Sequence, residues 1–399
     1  MNSLRIVKNA EGVYGVMLSN HCMLMVEDTD ERYGEYIYQK YYMYDLEKNT
    51  KIEIAPNIPK LNIVKLTDIE KHPNYIYFSN INIGEENIIE IRLFRYSIET
   101  KICKKIHSIM VENVESTSEF RVKVFVINEF YLIIQREYLR KNLSEDYEGF
   151  FDFNLTLFNM VQDEIIEIVD ENLVSNGIFD IRLISENICV IKTGFSMLLD
   201  KRYEKLTADE ASVESISFVN LGQLVSDIII QKKNIVFNTI EQAFFTNTIP
   251  YIRVNGEYLV YSIYNINEKE EKVVFYNVNT KVSQICINKN EDKDYASLAK
   301  TLIFNGRPYL RIDTDEQIEF YNVEDKKVDF VFKTDMKFET AIKNIIISST
   351  VKKTIFGNTR HYFNVHSYPG LSVIHHEKGK YLGCVADSEG KIYILTKKG

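Results

Sequence analysis

The sequence predicts an all-β fold assembled from about seven four-stranded antiparallel repeats, and three observations predict it. A short third-strand motif recurs along the whole chain. Polar turns cut the sequence into short strands on either side of each copy. The apolar residues are also of the kinds that suit pleated, half-buried surfaces, with 26 Tyr and 23 Phe beside abundant Ile and Val.

The clearest motif copies are Phe275-Tyr276-Asn277-Val278 and Phe320-Tyr321-Asn322-Val323, 45 residues apart. The same pattern stands at Met43-Tyr44-Asp45-Leu46, Arg95-Tyr96-Ser97-Ile98 and Leu157-Phe158-Asn159-Met160. Weaker copies stand at Phe218-Val219-Asn220-Leu221 and Val365-His366-Ser367-Tyr368. The seven end-points are separated by 52, 62, 61, 57, 45 and 45 residues. That period is close to the ~40–50 residues of a four-stranded propeller blade, with room for loop insertions.

Four strands per repeat can be read around the motif. In the second repeat they are 63–69, 75–79, 88–96 and 102–109; in the fifth they are 249–254, 258–264, 272–278 and 282–287. The connections are too short for crossover helices, so each repeat is an antiparallel meander. One such sheet cannot cover its own two faces. Stacking the sheets in a closed ring buries them, which makes the expected fold a single β-propeller over residues 1–399. The C-terminal hairpin, 381–386 and 391–395, is expected to close the ring with N-terminal strands at 4–8 or 13–18. It either completes the seventh blade or starts an eighth. Residues 201–217 have helix-compatible composition, so a short helical insertion is expected there.

The Tyr44-Asp45-Leu46, Tyr276-Asn277-Val278 and Tyr321-Asn322-Val323 elements resemble the third strand and following turn of β-propeller repeats in general. The Gly-His and Trp-Asp markers of WD40 blades and the Gly-Gly of kelch blades are absent, so the resemblance names the class and no family within it.

Composition excludes several functions. The net charge of −9 and the lack of a basic stripe argue against nucleic acid and against anionic membrane surfaces. No apolar run approaches the ~18 residues of a spanning helix, and the N-terminus lacks a signal-peptide pattern. A cytoplasmic location is the expectation. The five cysteines are far apart with no CxxC, which disfavours a disulfide framework or a zinc knuckle; they read as small buried hydrophobes.

No motif for a nucleophile elbow, HExxH zinc site, phosphate loop or dinucleotide fold is present, and Gly194-Phe195-Ser196 lacks the second glycine of an elbow. No catalytic residue, metal ligand or cofactor is therefore assigned. His361, His366, His375 and His376 diverge on alternating strands and read as satisfied or surface histidines. Tyr36, Tyr38, Tyr42 and Tyr44 share one strand face, with Tyr41 on the other, and read as packing between blades. The feature of most interest is acidic. Asp28-Thr29-Asp30-Glu31 and Asp313-Thr314-Asp315-Glu316 repeat one tetrapeptide between the second and third strands of their repeats, and Glu85 and Glu86 occupy the same place in another. The expected function is a non-catalytic propeller whose acidic face binds a basic protein or peptide. The alternatives are a hydrolase or lyase acting on a glycan or peptide in a central channel, and a structural subunit of an assembly.

Overall fold

Every motif copy read from the sequence closes the third strand of a sheet in the computed structural model. The structure describes residues 4–8, 13–18, 21–33, 36–58, 61–63, 74–83, 88–111, 120–139, 151–185, 187–194, 213–244, 247–265, 267–268, 270–288, 301–314, 316–333, 336–353, 359–387 and 389–397.

The fold is an eight-bladed β-propeller. After β1 (Leu4–Lys8), the first blade is β2 (Val13–Met17), β3 (Cys22–Tyr33), β4 (Tyr36–Asp45) and β5 (Thr50–Glu53). The second is β6 (Leu61–Ile63), β7 (Tyr75–Ile83), β8 (Ile89–Ser97) and β9 (Cys103–Val111). The third is β10 (Phe120–Val126), β11 (Tyr131–Leu139), β12 (Phe151–Asn159) and β13 (Glu164–Glu167). The fourth is β14 (Ile178–Ser185), β15 (Ile188–Thr193), β16 (Glu214–Asn220) and β17 (Asn238–Ala243). The fifth splits its first strand into β18 (Asn247–Thr248) and β19 (Ile252–Asn255), followed by β20 (Tyr258–Asn265), β21 (Glu270–Asn277) and β22 (Val282–Asn288). The sixth is β23 (Thr301–Phe304), β24 (Arg307–Asp313), β25 (Gln317–Asn322) and β26 (Lys327–Lys333). The seventh is β27 (Lys337–Ile342), β28 (Ile345–Lys353), β29 (Thr359–Ser367) and β30 (Val373–Lys378). The C-terminal hairpin, β31 (Lys380–Ala386) and β32 (Ile392–Lys397), makes an eighth, three-stranded blade with β1. Of the two N-terminal candidates, 4–8 is the partner: β1 runs parallel to β32, with Ile6 opposite Ile394.

The motif works because its penultimate residue is a side-chain acceptor. Asp45 Oδ1 takes the backbone N–H groups of Glu47 and Lys48. Asn159, Asn277 and Asn322 do the same for the residues two and three places on. Ser97 caps Thr100 in the same way. These groups would otherwise lack partners as the chain leaves the ladder. The fourth residue on (Asn49, Lys101, Asp163, Lys281, Lys326 or Leu371) then takes a left-handed φ of 51–58° and turns the chain back. In five copies the last motif residue donates its N–H to the carbonyl just before the second strand, as Leu46 does to His21 and Val278 to Glu257, both at 2.8 Å.

The fourth blade departs from this. Asn220 accepts from Gln223 N–H at 3.0 Å, but the chain continues as a helix, α2 (Leu221–Ile229). An earlier helix, α1 (Glu171–Asn176), is capped by Asp170 and ends at Gly177, whose φ of +66° and contact with the Phe153 ring leave no room for a Cβ. In the 201–217 stretch expected to hold a helical insertion, residues 201–212 lie outside the described residues and Glu214–Ser217 is strand.

The chain divides into two compact units. One comprises Met1–Asn62, Tyr96–Cys103 and Lys300–Gly399, and the other Ile63–Arg95 and Lys104–Ala299. In both, the core lies between successive sheets. In the first unit Tyr42, Tyr44, Met23 and Met25 pack on Val7, Tyr393 and Leu395. Ile345, Ile347, Phe363 and Val365 cover the other face of the eighth blade at Ile392 and Ile394. Between its sixth and seventh blades Phe320 stacks on Phe330 at 4.5 Å, edge-on to Phe332. Aromatic pairs of this kind add about 0.5–1.5 kcal/mol to the area they bury. In the second unit Leu93, Ile109, Val126 and Ile134 fill one such layer. The α2 residues Leu221, Leu224, Val225 and Ile228 seal another against Ile133, Leu157 and Ile191. The packing reading of Tyr38, Tyr41, Tyr42 and Tyr44 agrees with their burial.

Candidate functional site

The first acidic tetrapeptide falls inside a strand. Asp28 pairs with Gln39 and Arg32 with Ile37, so three residues of β3 face one of β4. Asp28-Thr29-Asp30-Glu31 is therefore a bulge, where the sequence reading expected a turn. The threonine makes the bulge: Thr29 Oγ1 donates to Tyr38 O at 2.8 Å and receives Glu31 N–H at 3.3 Å, replacing ladder bonds that the extra residues interrupt. Asp28 Oδ1 accepts from Gln39 Nε2, and Gln39 Oε1 accepts from Tyr41 O–H, both at 2.9 Å.

Beside this bulge the first blade opens a pocket of about 210 Å³. Its lining includes the carboxylates of Glu31 and Glu53, the side chains of Thr29, Gln39 and Lys40, and the apolar surface of Tyr38, Tyr41 and Ile54. Asp28, Asp30 and Glu31 are exposed, and Glu53 is half-buried. Two carboxylates, one amide and aromatic walls can hold a cation that carries an apolar stem.

The second tetrapeptide differs. Asp313 ends β24 and is held by Arg311 Nε at 3.1 Å. Thr314 closes the hairpin on Gln317 O at 2.8 Å, and Glu316 is exposed. Glu85, Glu86 and Asp315 lie outside the described residues. The described residues of the two tetrapeptides thus sit on different blades of the first unit, and Thr29 and Glu31 of the first copy line the pocket.

A second constellation, which sequence reasoning missed, lies inside the second unit. Lys192 on β15 and Glu214 on β16 are 0% and 2% exposed, with Nζ and Oε2 3.6 Å apart. Glu214 also accepts from Thr248 Oγ1 at 2.9 Å and from Ile249 N–H at 2.7 Å. The Lys192 ammonium lies 3.9 Å from the centroid of the Phe179 ring. Burial pushes Lys192 down to about 8 and raises Glu214 above the usual carboxylate range, so desolvation outweighs their mutual attraction for both. Nearby, the fully buried Glu137 receives Lys123 Nζ at 2.9 Å and Gln135 Nε2 at 2.7 Å. The alternating run Lys123, Gln135–Glu137 and Lys192 within strands is the signal that could have marked it, since a strand that is apolar on both faces does not ordinarily spend positions on charge.

The remaining candidates are occupied structurally. His366 is buried and shares a hydrogen bond of 2.8 Å with Ser348 Oγ, and burial lowers its pKa. His375 pairs with Glu377 at 3.1 Å, while His376 bonds Asn364 Oδ1 and stacks on Tyr362. Phe195 and Ser196 lie outside the described residues. All five cysteines are free. Cys189 is buried, whereas Cys22, Cys103, Cys286 and Cys384 are partly exposed, a correction to their reading as buried hydrophobes. Among the described residues no helix is long and apolar enough to cross a membrane.

No protein-family model matches the chain, and no curated protein matches it. Solved structures do. The chain resembles Porphyromonas gingivalis dipeptidyl peptidase 4 at a TM-score of 0.51 and 10% identity, over 95% of this chain and 56% of that one. It resembles a prolyl endopeptidase at 0.47 and 8%, over 90% of this chain and 47% of that one. It also resembles an oligogalacturonate lyase from Vibrio parahaemolyticus at 0.43 and 9%, over 93% and 92%. The chain thus spans about half the length of the two peptidases. At these identities the likeness concerns the fold alone.

Proposed function

We propose that this propeller recognises a protein partner without catalysis, holding a basic segment of that partner at the acidic pocket of its first blade. The observation that carries the reading is the convergence of Glu31 and Glu53 on one pocket walled by Tyr38, Tyr41 and Ile54. An arginine or lysine side chain fits such a wall, with its stem on the rings and its head between the carboxylates. The exposed Asp28 and Asp30 just outside add a negative field that speeds encounter with a basic segment and selects against acidic ones.

The test is binding of fluorescent arginine-rich and glutamate-rich peptides of equal length, read by anisotropy at low and at physiological salt. The arginine peptide should bind, weaken as salt rises, and lose its binding in the Glu31→Lys/Glu53→Lys variant. Equal binding of both peptides, or capture unaffected by the charge reversal, would sink the proposal.

A further inference from the structure

The opposite end of the β3–β4 hairpin brings together three donor atoms of different chemistry. An imidazole nitrogen of His21, the sulfur of Cys22 and a carboxylate oxygen of Asp45 all lie within 4.8 Å of one another. Local structure explains the convergence. Cys22 and Asp45 are direct partners at the first rung of the β3–β4 ladder. His21 precedes the strand at a bend, so strict alternation does not send its side chain to the opposite face. Its carbonyl is pinned by the N–H of Leu46 at 2.8 Å, and its Nε2 stands 3.9 Å from Asp45 Oδ2.

The carboxylate of Asp45 divides its work. Oδ1 caps the turn through Glu47 and Lys48 N–H, both at 2.9 Å. Oδ2 faces His21 and the Lys48 ammonium at 3.4 Å. Lys48 is exposed, and its long side chain has room to turn away from Asp45 when another cation takes that oxygen. Ligands around a tetrahedral ion at ~2.0–2.3 Å stand roughly 3.3–3.7 Å apart, so closure asks for a contraction of about 1 Å. That is within the reach of partly exposed side chains on one corner of a blade.

We infer that His21, Cys22 and Asp45 form a three-ligand site for a zinc-class divalent ion, with its fourth position open to water. A thiolate beside an imidazole selects against calcium and magnesium, which take oxygen ligands, and favours zinc and its chemical relatives. Binding replaces the Cys22 thiol proton with the metal and releases that proton to solvent. The thiolate and the carboxylate then balance the ion's two positive charges. The site lies at the far end of the hairpin from the acidic pocket and does not depend on that pocket's function.

The test is titration of the reduced full-length chain with Co²⁺, whose thiolate bond gives a near-ultraviolet charge-transfer band and whose tetrahedral sites absorb strongly in the visible. We expect saturation at about one equivalent, displacement by Zn²⁺, and loss of the charge-transfer band in Cys22→Ser. His21→Ala and Asp45→Asn should raise the half-saturating Co²⁺ concentration roughly tenfold or more. Asn at position 45 keeps an oxygen for the turn. Cys103→Ser, Cys286→Ser and Cys384→Ser should change nothing. In the unaltered chain, Zn²⁺ should protect Cys22 from iodoacetamide, mapped by peptide mass, which requires no variant to fold. Absence of the band in the unaltered chain, its survival in Cys22→Ser, unchanged titration of both His21→Ala and Asp45→Asn, or full alkylation of Cys22 in Zn²⁺ would each overturn the inference.

Discussion

The acidic pocket of the first blade and the Lys192–Glu214 pair of the fourth use the same kinds of side chain in opposite surroundings. Glu31 is exposed at the edge of a bulge, where a charge keeps its hydration at little cost. Glu214 and Lys192 are sealed between strands, where each charge is tolerable only because the other is 3.6 Å away and because Thr248, Ile249 and the Phe179 ring serve what remains. The difference teaches that charge in this fold divides by dielectric. Buried charge is held by partners inside the blade, and exposed charge faces solvent.

The sharpest way to break that comparison is to remove one buried partner. Lys192→Met should leave Glu214 buried and uncompensated, at a cost of about 3–5 kcal/mol in urea unfolding. The double variant Lys192→Met/Glu214→Gln should recover most of that loss, because no bare charge remains. If the single variant unfolds with the unaltered chain, the pair is not holding the blade.

The pH dependence of stability follows from the same pair. The folded value of Lys192, about 8, lies below its ordinary 10.5. Between those values the unfolded chain binds more protons, so stability rises with pH across that window. Glu214 is raised above its ordinary 4.5, so the folded chain binds more protons just above that value and stability falls as pH climbs there. The urea midpoint of the unaltered chain, relative to the double variant, should therefore climb from pH 8 toward pH 10. A flat difference would count against it.

Lys123 and Glu137 fall between the extremes and sharpen the comparison. Glu137 is fully buried, but Lys123 keeps 25% of its side chain exposed. Lys123→Met should cost about 1–3 kcal/mol, less than Lys192→Met, because Gln135 still donates to Glu137 at 2.7 Å. Equal losses for the two lysines would show that the depth of the cation does not matter.

The parts of this architecture that could be read from the sequence are those that depend on local rules. The motif was readable because Asp45, Asn159, Asn277 and Asn322 cap one kind of turn by side-chain hydrogen bonds that recur with the blade. Blade number was harder, since whether β31 and β32 complete a blade depends on β1, nearly the whole chain away. Helix α2 was missed although Leu221, Leu224, Val225 and Ile228 have helical spacing after the capping Asn220; its β-branched, apolar run also reads as strand. The pocket needed geometry. Nothing in Asp28-Thr29-Asp30-Glu31 says that Thr29 will bulge the strand and bring Glu31 into the same pocket as Glu53. The Lys192–Glu214 pair is joined by strand pairing across a stretch of 22 positions, and the sequence alone does not register that distance as contact.

The smallest expected effect on stability belongs to the pocket itself. Glu31→Gln/Glu53→Gln removes both charges while keeping shape and one accepting oxygen on each side chain, so the unfolding midpoint should move little, as carboxylates in contact with solvent contribute little to folding. Capture of an arginine-rich peptide should nevertheless fall, and its remaining salt dependence should flatten, because the two groups that would face the cation are gone. A midpoint that drops along with binding would mean that these carboxylates serve the blade as Glu214 does, and the division between buried and exposed charge would not hold at this end of the chain.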